Sequence, residues 1–561
     1  MNLQVLSPWA GIDTSVISGL SPRLDTLEGK KIGIYGDFMT LASYMGKAVE
    51  EELKKSYPDA SFSYIDYGDE KLEIKDNEEF RPVFEEWAEN VDCIISFYGS
   101  VPSGALFLGY NSAYMEKLGK PVVMIVVPRT YPTALRGCKA KGVPGLRTIQ
   151  YDVPVDKINS HITVEEVKEA MAPDVVALTD QIVEELTRPL TEEEQNPPLP
   201  DQKWANQIFN GSYREISEEL YRHGFTTGTP IEMPTREAVD EMLKGTDLPA
   251  ETVIAKLPPM MGCATVEKIA INAVMAGCKP TCMPVLIAAV KGLTDPRIHL
   301  EGWSCSQSTW GPVMAVSGPI VRDIELNVDD HYLTPAYRTN TTLARALGFI
   351  LMNIAGIRPG VEDLSEMGHE FRLGCCIGDN SEQNPWKPLH TDFGFKEEDS
   401  AVTLFWPQEH RTTAGHTVQD YLKWLCTITP YGWDPGMMII FTPKCAEMFA
   451  AAGWTKQRVL SYVAEYTRLP ASEVDLMWLT GNSHRPKNVE LPEVMSHSTR
   501  VFWSTDHMLA LVGGGRAGTM MTVLAGGGDH GGPSCTKINL PENWKALTEE
   551  YKEGKPEYIT Y

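Results

Sequence analysis

The residues best suited to chemistry lie in short polar clusters beyond residue 260. The richest reads Cys375-Cys376-Ile377-Gly378-Asp379-Asn380-Ser381-Glu382-Gln383-Asn384-Pro385-Trp386. A thiol beside carboxylates ionises less readily, so Cys376 makes a poor nucleophile unless a cation or helix end offsets them. Asp379 and Glu382 are the better candidates, for proton transfer, with Asn380 to orient a ligand; the competing reading is a plain polar loop. A second cluster, Glu267, Lys268 and Asn272, follows Pro258-Pro259-Met260-Met261-Gly262. Its i, i+4 spacing puts Lys268 and Asn272 on one helix face. Lys268 could hold a carboxylate or polarise a carbonyl with Glu267 as acid or base, or the pair could be a solvated face. In a third, Arg338, Thr339, Asn340, Thr341 and Arg345 open a helix with guanidinium, hydroxyl and amide donors, a set that suits a carboxylate or phosphate; helix capping explains the same residues.

Glycines form the fourth cluster. Gly513-Gly514-Gly515-Arg516-Ala517-Gly518 follows the strand-like Leu509–Val512, and Gly526-Gly527-Gly528-Asp529-His530-Gly531-Gly532 follows Met520–Ala525. A dinucleotide fingerprint needs a helix at its third glycine, whereas a strand pattern follows here. Gly514 and Gly527 are instead candidates for close backbone approach to a small ligand, with His530 as a titrating group. His410 and His416 lie six apart and His484, His497 and His507 are scattered, without an H-E-x-x-H or two-His-one-carboxylate spacing. No resident metal or cofactor is therefore expected.

The elements that must position these groups divide the chain. Lys31–Tyr35, Ser61–Tyr67, Cys93–Phe97, Pro121–Val127 and Leu146–Tyr151 read as strands, separated by helical patterns such as Thr40–Lys55, and Val164–Leu186 reads as one closing helix. This alternation predicts an α/β fold: a flavodoxin-like parallel sheet over residues 1–189. Leu190–Pro200 is acidic and proline-rich, so residues 190–202 read as a linker. Residues 203–561 read as a larger, less regular α/β domain carrying the active site. Its expected helices include one capped by Thr235, Ala264–Ala276 stopped by Gly277, Leu286–Leu293, Thr342–Ala355, Cys445–Ala452 and Lys456–Thr467. Its expected strands are Val313–Val316, Met437–Phe441, Met508–Val512 and Met520–Leu524.

Within the first unit, Cys93-Ile94-Ile95-Ser96-Phe97, the turn Tyr98-Gly99-Ser100-Val101-Pro102 and the strand from Pro121 form a βαβ unit, whose carboxyl-end turn is where open sheets take ligands. Together with Pro22–Gly33, this stretch resembles the UGSC family, bacterial proteins whose equivalent turn reads selenocysteine (or cysteine)-Gly-Ser-Cys. Met261–Cys278 and Pro284–Val290 resemble the C-terminal region of longer members. Here the turn keeps Gly99 and Ser100, but Tyr98 and Val101 stand at both chalcogen positions. The resemblance thus implies a turn without its redox pair, with Gly99 and Ser100 as ligand contacts.

Composition bounds the rest. The chain of 561 residues is 43% hydrophobic and 22% charged, with a formal charge of −25. Such charge repels nucleic acid and anionic lipid, and no apolar run is long enough to span a membrane. Eleven cysteines at irregular spacing suit a reducing cytoplasm rather than a disulfide framework. The expectation is a cytoplasmic enzyme taking a small polar, anionic metabolite by acid–base chemistry of the lyase or hydratase type. The alternatives are a thiol-handling oxidoreductase or transferase using Cys263 or Cys376, and a ligand-binding protein without turnover. Assembly as a homo-oligomer stays open.

Overall fold

The computed structural model describes residues 2–36, 40–67, 73–155, 162–430, 436–470, 498–502, 504–526 and 532–554. In the N-terminal unit five parallel strands run in the order Ser61–Asp66, Lys31–Gly36, Cys93–Tyr98, Val122–Val126, Thr148–Gln150. Numbered within the unit this is 2-1-3-4-5, the flavodoxin-like order. The strands are apolar on both faces because helices cover both. Ile32, Ile34, Ile95, Phe97 and Val123 point into one apolar layer with the Thr40–Ser56 helix. Ile94, Val122, Met124 and Val126 point into the opposite layer, with Leu108 and Met115 of the Pro102–Lys117 helix. The helix expected over Val164–Leu186 is instead two, Val164–Met171 and Val175–Thr187. Pro173 lies in the gap, where it lacks the N–H of a helical hydrogen bond; Ala172 itself keeps helical backbone, at φ −50° and ψ −37°.

The C-terminal region is more regular than its sequence suggests. One sheet runs Cys375–Gly378, Val313–Ser317, Ala401–Phe405, Ser534–Lys537, and the other Pro407–Ala414, Met520–Gly526, Gly436–Phe441, Met508–Val512. Strand side chains alternate between faces, and three apolar layers follow from that alternation. Met314, Val316, Val402 and Leu404 face the helices Val266–Ala276, Met283–Gly292 and Arg338–Asn353. Val313, Ala315, Ile377 and Phe405 face Met438, Ile440, Leu509, Leu511 and Leu524 of the other sheet. Met437, Ile439, Phe441, Ala510 and Val523 face a second helical layer that includes Tyr421, Phe449 and Val459. The result is helices, sheet, sheet, helices. Cys375–Gly378, to which the sequence pattern assigns no element, is a buried strand.

The chain crosses between the two regions more than once. Leu3–Leu6 pairs antiparallel with Ile208–Gly211, and Val5 and Ala10 lie in the core of the C-terminal region. The Pro102–Lys117 helix packs on the Leu300–Cys305 helix, where Phe107 stacks on His299 with centroids 5.2 Å apart. Arg136 donates to the Val361 carbonyl at 2.7 Å and faces Glu362 at 3.3 Å.

The segment expected as a linker begins with an ordered turn. Thr191 caps the short helix Glu192–Gln195 in a capping box with Glu194. The Glu194 carboxylate takes Arg147 Nε and Nη2, each at 3.0 Å. Arg147, 4% exposed, also donates to the carbonyls of Glu185, Arg188 and Pro189. Hydrogen bonds from Arg147 hold the Glu194 carboxyl down to about 2. Its folded pKa is depressed, so this stabilisation is present above the ordinary glutamate range and lost as pH falls from about 4.5 towards 2. Arg147→Met should cost about 3 kcal/mol in urea unfolding at neutral pH, because it strips three carbonyls of a buried donor and leaves the Glu194 carboxylate with only Arg188 and the Thr191 amide. Glu194→Gln should show a smaller loss that shrinks as the titration is carried to pH 3. An unchanged midpoint for Arg147→Met would contradict the assigned role.

Candidate functional site

Three strands end at one place. Val313–Ser317 and Cys375–Gly378 run parallel in the first sheet, and Met508–Val512 ends beside them in the second. The sheets are tied there: Asn380 N donates to the Val512 carbonyl at 2.8 Å, and Val512 N to Asp379 Oδ1 at 3.3 Å. A cleft of about 950 Å³ opens at these carboxyl ends, a usual position for a ligand site in α/β proteins.

Asp379 and Asn380 sit at its inner wall. Asp379 is fully buried, and its Oδ2 accepts from Leu389 N at 2.6 Å. Burial pushes its carboxyl above the usual range, opposed chiefly by that amide, by Lys456 and by Val512 N. Asn380 is 4% exposed, and its Oδ1 takes Gln383 N at 3.2 Å. Its Nδ2 finds no acceptor among the described residues. A buried amide donor left unmatched at a cleft wall is costly unless something else accepts from it. Nearby, His390 is buried with Nδ1 3.0 Å from Ser317 Oγ and Nε2 2.9 Å from the Lys396 carbonyl. The carbonyl can only accept, so Nε2 donates and Nδ1 can accept from the serine.

Several expected site residues meet here. Arg338 stands at the first turn of the Arg338–Asn353 helix and lines the cleft with Asp379, Asn380 and Glu382. Glu382 lies at the exposed rim, 3.5 Å from Arg322. Asn340 lies behind the wall. Its Oδ1 accepts from Asn327 N at 2.8 Å while Nδ2 donates to the Asn327 and Cys376 carbonyls. It therefore positions the Asn327 loop instead of presenting a donor to a ligand. Gly514 donates its amide to the Val328 carbonyl at 2.8 Å, so the first glycine cluster abuts the same loop. An added Cβ at Gly513 would lie 2.2 Å from the Tyr332 ring, and at Gly515 1.7 Å from Asp330 Oδ1.

Other expected residues lie elsewhere. Lys268 Nζ donates to the Ser7 and Ala205 carbonyls, at 2.8 and 2.7 Å, and burial lowers it to about 8. Asn272 Nδ2 donates to the Pro8 carbonyl and its Oδ1 accepts from Asn353 Nδ2. Glu267 pairs with Arg236 at 2.7 Å. These three anchor the N-terminal strand and its surroundings and do not join the cleft, because the chain's first ten residues cover that helix face. Gly526 lies at the far end of its sheet from Gly514, opposite Gly436. Gly527 and His530 lie outside the described residues. Gly99 and Ser100 belong to the other sheet. They sit at the end of Cys93–Tyr98, next to Lys31–Gly36, where the strand order reverses. Gly99 takes φ +54°, and Ser100 is buried with its carbonyl taking Arg129 Nη2 at 3.0 Å.

All eleven cysteines are free. Burial raises the Cys376 thiol well above its ordinary value and raises Cys263 too, the reverse of what a thiolate nucleophile needs. Among the described residues no group of three or more His, Cys, Asp or Glu could hold a metal ion, and no helix is long and apolar enough to cross a membrane.

Residues 4–181 match the sequence model of the UGSC family. The N-terminal unit is UGSC-like. The match takes in the five-stranded sheet and the Tyr98-Gly99-Ser100-Val101 turn at its switch point. The cleft and the sheet whose strand ends line it lie outside the matched span, so the UGSC likeness says nothing of their chemistry. No curated protein matches the chain. Of the residues singled out by type in the sequence, Asp379, Asn380, Glu382 and Arg338 line the cleft; Lys279, Glu325 and Glu553 line it too and were not singled out. Each of these is an ordinary charged residue, with no motif around it to mark its place.

The steric reading of the glycine loop separates two substitutions. Gly513→Ala should lower the melting temperature by several degrees, since a Cβ there meets the buried Tyr332 ring. Gly518→Ala should leave it unchanged, since nothing lies within 4 Å of the Cβ position. Equal melting of the two variants would remove Tyr332 packing as the reason for glycine at 513.

Proposed function

We propose that the protein is an enzyme whose cleft binds a small polar, anionic metabolite and moves a proton on it, chemistry of the lyase or hydratase type. What supports this reading most directly is the unmatched Nδ2 of Asn380, buried beside the raised carboxyl of Asp379 at the carboxyl ends of three strands. In it, Asn380 donates to a ligand oxygen, which fixes the ligand's orientation and draws electron density from the adjoining carbon. The Asp379 carboxylate, made more basic by burial, takes the proton from that carbon, the C–O bond on the neighbouring carbon breaks as the C=C bond forms, and the proton passes to the departing hydroxyl, which leaves as water; hydration is the reverse. The amides of Leu389 and Val512 hold Asp379 in place while it acts. Arg338 and Lys279, on the cleft lining, would carry the ligand's negative charge.

Carbon–proton chemistry leaves a trace even without knowledge of the product. A panel of small hydroxy- and keto-carboxylates incubated with the protein in D2O should include a member whose proton next to the carboxylate or carbonyl washes out, read by proton NMR. Asp379→Asn should slow that exchange at least a hundredfold, the usual scale for removing an acid–base group, while melting within a few degrees of the parent. The exchange should rise with pH and level off above the ordinary carboxylate range, because the base must be ionised and its pKa is raised. Washout unaffected by Asp379→Asn would remove Asp379 from the mechanism.

A further inference from the structure

We infer that Lys279 and Arg338 form a carboxylate subsite of the cleft, and that the chain's own Glu553 occupies it as an internal competitor. The inference rests on the reading of the cleft as a metabolite site and names the part of the ligand it would recognise. Glu553 Oε1 lies 2.7 Å from Arg338 Nη1 and 2.9 Å from Lys279 Nζ. Two cations from separate elements, the first turn of one helix and the loop after Gly277, thus converge on one carboxylate oxygen. Charge-assisted contacts of this kind are what a carboxylate ligand would need.

The manner in which Glu553 is held shows a strap that can leave. The apolar anchoring of the C-terminal helix Trp544–Glu550 ends at Leu547, which is 2% exposed. Tyr551 then closes onto Glu241 through its hydroxyl, and its carbonyl takes Lys279 Nζ at 2.9 Å. Residues 552–554 are exposed. Their described contacts are polar: the two cations on Glu553, and the amides of Glu553 and Gly554 on the Glu325 carboxylate at 2.7 and 3.1 Å. Glu325 itself stands at φ +53°, a left-handed conformation that an L side chain with a Cβ adopts at a cost. That conformation places its carboxylate under the two strap amides. The Glu553 and Lys279 side chains are 21% and 27% exposed and Arg338 65%, so these contacts are part-screened and weaken with salt, and a ligand bearing the same charge can replace them.

An intramolecular carboxylate acts at an effective concentration in the millimolar range or above, and a free carboxylate must displace it. Removing the internal one should therefore tighten external binding without adding any contact.

The test is direct binding, by titration calorimetry at low salt on the full chain, with malonate as the probe and inorganic phosphate as a second. Glu553→Gln should bind malonate about tenfold more tightly than the parent. Adding Arg338→Gln to that variant should abolish the gain. Glu325→Gln, which weakens the strap's grip without touching either cation, should shift malonate binding in the same direction by a smaller factor. Melting curves check that each variant is folded. An unchanged malonate affinity in both Glu553→Gln and Glu325→Gln would overturn the competition, as would a gain that survives loss of Arg338. An equal gain for phosphate would overturn the assignment to carboxylates. Because the readout is binding, it stands or falls apart from proton exchange at Asp379.

Discussion

The apolar layer shared by the two four-stranded sheets is the constraint on which the C-terminal region depends. Val313, Ala315 and Ile377 from one sheet and Met438, Ile440, Leu509 and Leu511 from the other meet in it. Each buried aliphatic side chain contributes on the order of 1.5–3 kcal/mol, so the layer sets the spacing of the sheets. Because alternate residues of the same strands serve the outer helical layers, neither sheet can slip by one residue without turning every apolar side chain to the wrong face. Register fixed in this way brings the ends of Val313–Ser317, Cys375–Gly378 and Met508–Val512 to one location. The cleft is where these three strands stop.

Polar groups at that location trade stability for availability. Asp379 ties the second sheet to the first through the Val512 amide, yet it is a buried carboxyl whose ionised form burial disfavours. Asn380 is anchored through its backbone and one side-chain oxygen while its amide nitrogen goes unmatched. Asn340, by contrast, uses its whole amide on backbone partners. The difference separates a residue whose amide is spent on the fold from one whose amide nitrogen is left over. The lining also carries carboxylates enough to meet its cations, and Glu553 meets two of them.

The UGSC-like unit and the cleft-bearing region are joined by contacts that no single linker accounts for. Leu3–Leu6 adds a strand to Ile208–Gly211, and Lys268 and Asn272 secure the residues that follow it. Phe107 on His299 and Arg136 on Val361 and Glu362 add a second joint. Lys268 illustrates how such a joint can resemble a catalytic group. A buried lysine beside a glutamate suits acid–base work, but here two carbonyls already take two of its three ammonium protons.

Local pattern sufficed wherever a property depends on neighbours in the chain. The strands Lys31–Gly36 and Met508–Val512, the helix stop at Gly277 and the Thr235 cap all follow from alternation, periodicity or a residue's own capping capacity. The parallel order of the first sheet follows from its βαβ alternation. Pairing between distant strands is carried by no short window. The four-layer stacking therefore awaited the tertiary structure, as did the burial of Cys375–Gly378. The same holds for the site. Residue type alone marked Asp379, Asn380 and Arg338 as capable of chemistry. It marked Glu267 and Lys268 equally well, since only the fold decides whether a charged side chain meets a cleft or a backbone carbonyl. Glu553, more than two hundred residues from Arg338 in the chain, became part of the site for the same reason: contacts across that separation are set by packing.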